Sequence, residues 1–236
     1  MRRSSRVVSI LAVILLAAAT LGPWITSAHP GHWGKGARDQ IEATRARLNL
    51  ALNHTIAYLE VIKSRIEMLE ARGENPPVGS DDLQADIDEL ESLKLELEKA
   101  RSKEEILAVA RDLGSTWVRV RGDTRYAKVF IMQRHLSRNL ERMEEFSERM
   151  NDRIRALERR GVDARDLRLE LSRFNHHIEA ARDEYNRGVW FYEKGDLVNA
   201  NRCFRDAYHD LIAAKNILKP LIRAYMSLSE SNSHSH

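Results

Sequence analysis

Cysteine, proline and glycine are scarce in this chain of 236 residues, which contains 1 Cys, 5 Pro and 11 Gly. The single cysteine excludes an internal disulfide, so stability must come from the core and from helix pairing. Apolar residues flank Cys203 at helical spacing, which favours a buried thiol over an intermolecular disulfide or a nucleophile. Proline and glycine cluster at a few points, and this is typical of long helices.

Net charge is also lacking over most of the chain. There are 38 Lys and Arg residues and 35 Asp and Glu residues, and three of the arginines but none of the acids lie in the first 28 residues. The rest of the chain therefore carries equal numbers of both signs. Because it also has no arginine-rich tail, this balance argues against nucleic-acid binding.

The first 28 residues have the pattern of an export signal. Three arginines precede the apolar run VVSILAVILLAAATL, and small residues then occupy 26–28. We predict export out of the cytoplasm, to the cell envelope, the periplasm or the medium, with cleavage after Ala28. The alternative is a retained membrane anchor, because 7–25 is close to the ~20 apolar residues that a spanning helix needs.

The apolar spacing beyond the signal predicts about six helices. The first, at about 37–72, has a coiled-coil-like seam with spacings of four and three. That seam comprises Leu48, Leu52, Thr55, Leu59, Ile62, Ile66 and Leu69. The second helix begins at Ser80 or Asp81, and a capping box at Ser102 opens the third. We expect a bend or a restart near Gly122, followed by a fourth helix to Arg160.

The last two helices are predicted at about 164–193 and 197–218, with Pro220 in or just beyond the final turn. Residues 227–236, which end in the polar sequence SESNSHSH, are expected to be a disordered tail. Residues 29–36 are expected to be a flexible amino-terminal segment of the mature chain.

A short sequence occurs twice in the chain and indicates a duplication. Residues 65–73 read RIEMLEARG and residues 153–161 read RIRALERRG. At this shift of 88 residues the apolar seams of the first and fourth helices superpose. We therefore predict an all-α fold, an elongated antiparallel bundle with two similar three-helix units at 37–122 and 123–226.

One helix hairpin resembles a known repeat family. Residues 181–214 carry small and aromatic residues where the tetratricopeptide motif has them: Gly188, Phe191, Gly195, Ala200, Phe204 and Ala207. This chain departs from the motif at Glu184 and Arg187, where the family has large apolar residues, and at Ile212, where the family has proline. The resemblance covers 34 of the 236 residues and implies a close helix hairpin, whereas arrays of the family need about three repeats.

Histidines near both ends of the chain suggest a metal site. His29 would be the new amino terminus after cleavage, and His32, His234 and His236 lie near it or in the tail. Such ligands suit copper or zinc. Within the helices no histidine has a partner four residues away, so the sequence indicates no internal metal centre and no other cofactor.

No catalytic motif is present, and we expect the protein not to be an enzyme. Aromatic residues, only 6% of the chain, concentrate in the last two helices. Trp190, Tyr192 and Tyr208 are our candidates for partner binding, because Trp and Tyr dominate interface hot spots. The sequence thus favours an exported, non-catalytic scaffold or protein-interaction protein that binds a partner or itself. An extracytoplasmic metal-binding protein is the alternative.

Overall fold

The computed structural model describes residues 35–233, and in this range it contains five α-helices and no strand. The helices are α1 (Lys35–Glu70), α2 (Ser80–Lys99), α3 (Lys103–Arg159), α4 (Arg165–Glu193) and α5 (Leu197–Ser233). The predicted all-α class is confirmed. The predicted signal at 1–28, the segment 29–34 and the final histidines at 234 and 236 lie outside the described residues.

The chain divides into two compact units within α3, with Ala127 ending unit 1 and Lys128 beginning unit 2. Unit 1 holds α1, α2 and the first part of α3. Unit 2 holds the second part of α3 together with α4 and α5. The boundary predicted from the sequence, at Gly122, is five residues earlier.

The third and fourth predicted helices are one continuous helix, α3, of 57 residues. Gly122 lies inside it, and a side chain there would meet nothing within 4 Å. An interior glycine costs only about 1 kcal/mol relative to alanine. Burial of Val120 and Ala127 on either side of Gly122 stabilises the helical path, so the glycine does not end the helix.

The last helix is longer than predicted and runs through Pro220 to Ser233. Proline removes a backbone donor and crowds the preceding turn. Beyond it, however, Leu221 is fully buried, and Tyr225 and Leu228 pack against the core of unit 2. Their burial offsets the cost of the proline, so the first seven residues of the predicted disordered tail are helical.

Three helices end in the same glycine turn. Gly73, Gly161 and Gly195 have φ values of 79°, 80° and 75°, the left-handed region that favours glycine. The residue after each glycine donates its N–H to a carbonyl five residues back, for example Glu74 to Leu69 at 3.1 Å and Val162 to Leu157 at 3.2 Å. These bonds satisfy carbonyls that the ending helix leaves open.

The seam residues that the duplication matches are buried in both units except Met143, which is half-buried. Leu52 and Leu140 are 1% and 0% exposed, and Ile66 and Ile154 are both at 0%. A glutamate near the glycine turns at Gly73 and Gly161 also bonds to the following helix or its start. Glu70 accepts from the Ser80 backbone N–H at 2.9 Å, and Glu158 accepts from Arg168 of α4.

Candidate partner-binding surface

Small residues let α5 pack closely against α4. Gly188 of α4 faces Phe204 of α5, and a Cβ added to Gly188 would lie 2.5 Å from two ring carbons of Phe204. Fully buried alanines belong to the same core: Ala181, Ala200, Ala207 and Ala214. Close packing of this kind fixes the rotation of α5 about its own axis. It therefore determines which α5 side chains face the solvent.

The solvent-facing side of α5 between residues 198 and 226 carries cations and apolar side chains, and we call it the α5 face. Its cations are all exposed: Arg202, Arg205, Lys215, Lys219 and Arg223. Its apolar residues are 39% to 64% exposed: Val198, Tyr208, Ile212, Ile222 and Met226. These residues recur at helical spacings of three and four, so they form one continuous stripe.

No carboxylate interrupts the α5 face. The three described acids of α5 are Asp206, Asp210 and Glu230, and none of them belongs to the stripe between 198 and 226. Asp210 instead lies 3.5 Å from the Nδ1 atom of His177 on α4. Within residues 35–233, none of the five cations of the face forms an ion pair. The face is thus a row of positive charge with apolar side chains between the charges, and the exposed Asp206, four residues from Arg202, lies at its edge.

The three aromatic residues singled out from the sequence do not share one surface position. Trp190 is 56% exposed, and its ring contacts Phe191 edge-on at 4.9 Å. Tyr192 is half-buried and packs against the core of unit 2. Tyr208, 45% exposed, belongs to the α5 face and lies 6.5 Å from the ring of His209. Of the three, Tyr208 alone belongs to the stripe.

In unit 1, helix α2 has the opposite charge. Its 20 residues include eight carboxylates and two lysines. The exposed stripe that we call the α2 face consists of Asp81, Asp88, Glu91, Leu95 and Glu98, with Lys99 at its carboxyl end. Leu95 is 54% exposed, so this face also presents an apolar side chain among its charges.

The inner side of α2 holds a buried carboxyl group. Asp86 is 2% exposed, and its Oδ1 atom accepts from the Nε atom of Arg119 on α3 at 3.1 Å. Its Oδ2 atom has no hydrogen-bond partner among the described residues. Burial raises the pKa of Asp86 above its ordinary value, although Arg119 opposes this.

Glu89 also bonds to the guanidinium group of Arg119, but its pKa shifts in the opposite direction. It accepts a hydrogen bond from Thr116 at 2.5 Å and another from Arg119. These bonds, that of Thr116 first, lower the pKa of Glu89. The cluster joins α2 to α3 within unit 1, and its two carboxylates differ because only Asp86 is removed from water.

Unit 2 contains a shallow groove of about 320 Å³ between α3 and α4. Arg182 donates two hydrogen bonds to Glu144 across it, at 2.9 and 2.6 Å. The Ser147 hydroxyl donates to the Asn175 amide oxygen at 2.5 Å. These four side chains bond to one another and hold α3 against α4, which is a structural role.

Metal-ligating side chains do not converge in the described part of the chain, where no group of three or more His, Cys, Asp or Glu could hold an ion. The candidate ligands His29, His32, His234 and His236 lie outside that part, so copper or zinc binding by them stays a hypothesis. Cys203 is buried, and burial raises the pKa of its thiol. That shift disfavours the reactive thiolate.

Comparison with family models, curated proteins and solved structures finds no match to this chain. Among the helices of residues 35–233, none combines the length and the apolar character that crossing a membrane requires.

Neither charged face was predicted from the sequence. The predicted binding residues were aromatic, and the helix patterns considered were only the buried seams. The pattern of the α5 face was nevertheless visible in the sequence, because the positions of α5 that lie between its buried residues repeat at the same spacings of three and four. A second stripe of this kind, rich in one sign of charge, is the feature to look for.

Proposed function

We propose that this protein is an exported, non-catalytic helical scaffold that binds a protein partner through the α5 face. The observation that carries the proposal is the exposure of cations and apolar side chains together on one side of α5. On the surface of a monomeric protein, exposed apolar side chains are usually scattered singly. A continuous row of them that also contains Tyr and Arg is typical of an interface.

The close packing of α4 against α5 is consistent with this role, because it holds the α5 face on a rigid helix. Gly188 and the buried alanines allow the close approach that the resemblance to a tetratricopeptide hairpin implies. In this proposal the hairpin uses the packing of that family without forming a repeat array. A binding face on a rigid helix needs little ordering on association, which limits the entropic cost.

Export is the second part of the proposal and is supported by the charged start, the apolar run and the small residues at 26–28. The mature chain would then begin at His29. Amino-terminal sequencing of the protein recovered from outside the cytoplasm would test this part independently of any binding experiment. A chain that still begins at Met1 would contradict cleavage.

A photo-crosslinking experiment tests the binding face. Tyr208 is replaced by p-benzoyl-phenylalanine in the producing cells, and Tyr126 of α3, which is 37% exposed, serves as the matched control. We expect irradiation to give an adduct with a polypeptide at Tyr208 and none at Tyr126. No adduct at Tyr208, or equal adducts at both positions, would contradict the assignment of function to the α5 face.

A further inference from the structure

The α5 face and the α2 face are complementary in charge. The first offers five cations and no carboxylate, and the second offers four carboxylates and one cation, Lys99, at its carboxyl end. We propose that the α5 face of one molecule binds the α2 face of a second copy of this chain. This inference rests on the proposed function and identifies the partner as another copy of the protein.

The lengths of the two faces are compatible. Helix α2 has 20 residues, which at 1.5 Å per residue is about 30 Å. The α5 face spans residues 198 to 226, or about 42 Å on the same basis. The whole acidic stripe can therefore lie along the basic stripe. The acids of the α2 face are seven, three and seven residues apart, and those at both ends of α2 can lie opposite cations of the α5 face, so more than one opposite charge comes together at once.

Apolar contacts would add to the charge pairing. Leu95 is 54% exposed between the acids of α2, and Ile212 and Tyr208 are exposed between the cations of α5. Each face thus has apolar side chains that association would remove from water. The charges would steer the encounter and determine the partner, which makes the association dependent on salt.

Two other occupants fit the α5 face less well. Pairing of α5 with α5 of a second copy would place five cations opposite five cations, which is repulsive. Helices that lie on membranes have a broad apolar side opposite their cations. In α5 that apolar side is already buried in unit 2, and the cations alternate with the exposed apolar residues. An acidic helix is the occupant that the face favours.

The contact is heterologous, because the two faces belong to different helices of each molecule. This property allows a test with two charge-reversed proteins. Variant A carries Glu91→Lys and Glu98→Lys in α2, and variant B carries Arg205→Glu and Lys215→Glu in α5. None of these four side chains has a hydrogen bond or ion pair within the described residues, so the changes leave no buried partner behind.

Sedimentation velocity on the full mature chain measures the result. At an ionic strength of about 20 mM we expect the wild type to self-associate, and at about 500 mM we expect the association to weaken at least tenfold. Variant A and variant B should each be monomeric. An equimolar mixture of A and B should associate again, because each variant then provides the face that the other lacks.

A control separates the loss of the contact from the change in net charge. Arg142→Glu with Arg160→Glu alters the net charge of unit 2 as much as variant B does, at exposed positions outside the α5 face. This control should associate as the wild type does. Recovery in the mixture of A and B also shows that both variants are folded.

Several results would overturn the proposal. They are a wild type that stays monomeric at low salt, a variant A or B that associates as the wild type does, a mixture that fails to associate, or a control that is impaired. Binding of the wild-type monomer to phosphatidylserine vesicles would assign the face to a membrane instead. A Tyr208 adduct with a different polypeptide, from a monomeric wild type, would leave the proposed function intact and refute self-association.

Discussion

The helix pairs of the two units solve the same packing problem with different side chains. In unit 1, α1 and α2 bury branched aliphatic residues, and the largest of these are at most 1% exposed: Leu52, Leu59, Ile66, Leu83, Leu90 and Leu97. In unit 2, α4 and α5 combine glycine and alanine with aromatic rings, as at Gly188 and Phe204. Both pairs use apolar residues at spacings of three and four.

The difference shows that periodicity specifies a buried face but not how closely two helices approach. Aliphatic side chains of similar size separate α1 from α2, whereas a missing side chain at Gly188 makes room for a ring. Close packing of this second kind leaves no space for enlargement. We therefore expect both pairs to be sensitive to truncation, and the α4–α5 pair to be sensitive to enlargement as well.

Truncation of the matched seam residues should have the largest effect. Leu52→Ala in unit 1 and Leu140→Ala in unit 2 should each lower the free energy of unfolding by about 2–4 kcal/mol, because each removes a fully buried side chain. Urea denaturation of both variants measures the loss. Leu50→Ala, at a position that is 59% exposed, is the control and should cost less than about 0.5 kcal/mol.

Losses that differ widely between the two leucines would show that the duplicated seams are not equivalent in energy. A loss at either leucine as small as that of the control would mean that its side chain is not in the core.

Enlargement should separate the two kinds of packing. Gly188→Ala should destabilise the protein by about 1–3 kcal/mol, because its Cβ would overlap the ring of Phe204. Gly122→Ala is the matched control in α3, where a Cβ meets nothing within 4 Å, and it should stabilise by up to about 1 kcal/mol. Thermal denaturation followed by circular dichroism compares the two. A neutral or stabilising Gly188→Ala would refute the close α4–α5 contact.

The smallest expected effect concerns pH and the carboxyl pair on Arg119. The pKa of Asp86 is raised above 3.8 in the folded protein, so the native state binds more protons than the unfolded state there. Stability from this group therefore falls as pH rises through the folded pKa. Relative to Asp86→Asn, the wild type should lose stability as pH rises above 3.8, as urea titrations at a series of pH values would show.

Glu89 should give a slope of the opposite sign. Its pKa is lowered from 4.5, so the stability that it provides is present above that value and is lost as pH falls through the folded pKa. Relative to Glu89→Gln, the wild type should therefore lose stability on acidification. Slopes of the same sign for the two variants would mean that burial does not distinguish Asp86 from Glu89.

Much of the fold is predictable from local sequence. The buried seams of α1 and α2 and the glycine turns at Gly73 and Gly161 agree with expectation, because periodicity and left-handed glycine turns are local features. The candidate surface was only partly predictable. Trp190 and Tyr208 are exposed, but Tyr192 packs against the core, and a spacing pattern alone does not decide this.

By itself, the sequence of this protein determined the helical class, most of the helix limits and the residues of each seam. The tertiary structure decided whether α3 continues through Gly122 and whether α5 continues beyond Pro220. It also decided that Asp86 is buried and that the cations of α5 face the solvent. Local preferences at these positions amount to a few kcal/mol, and burial of neighbouring apolar side chains is large enough to override them.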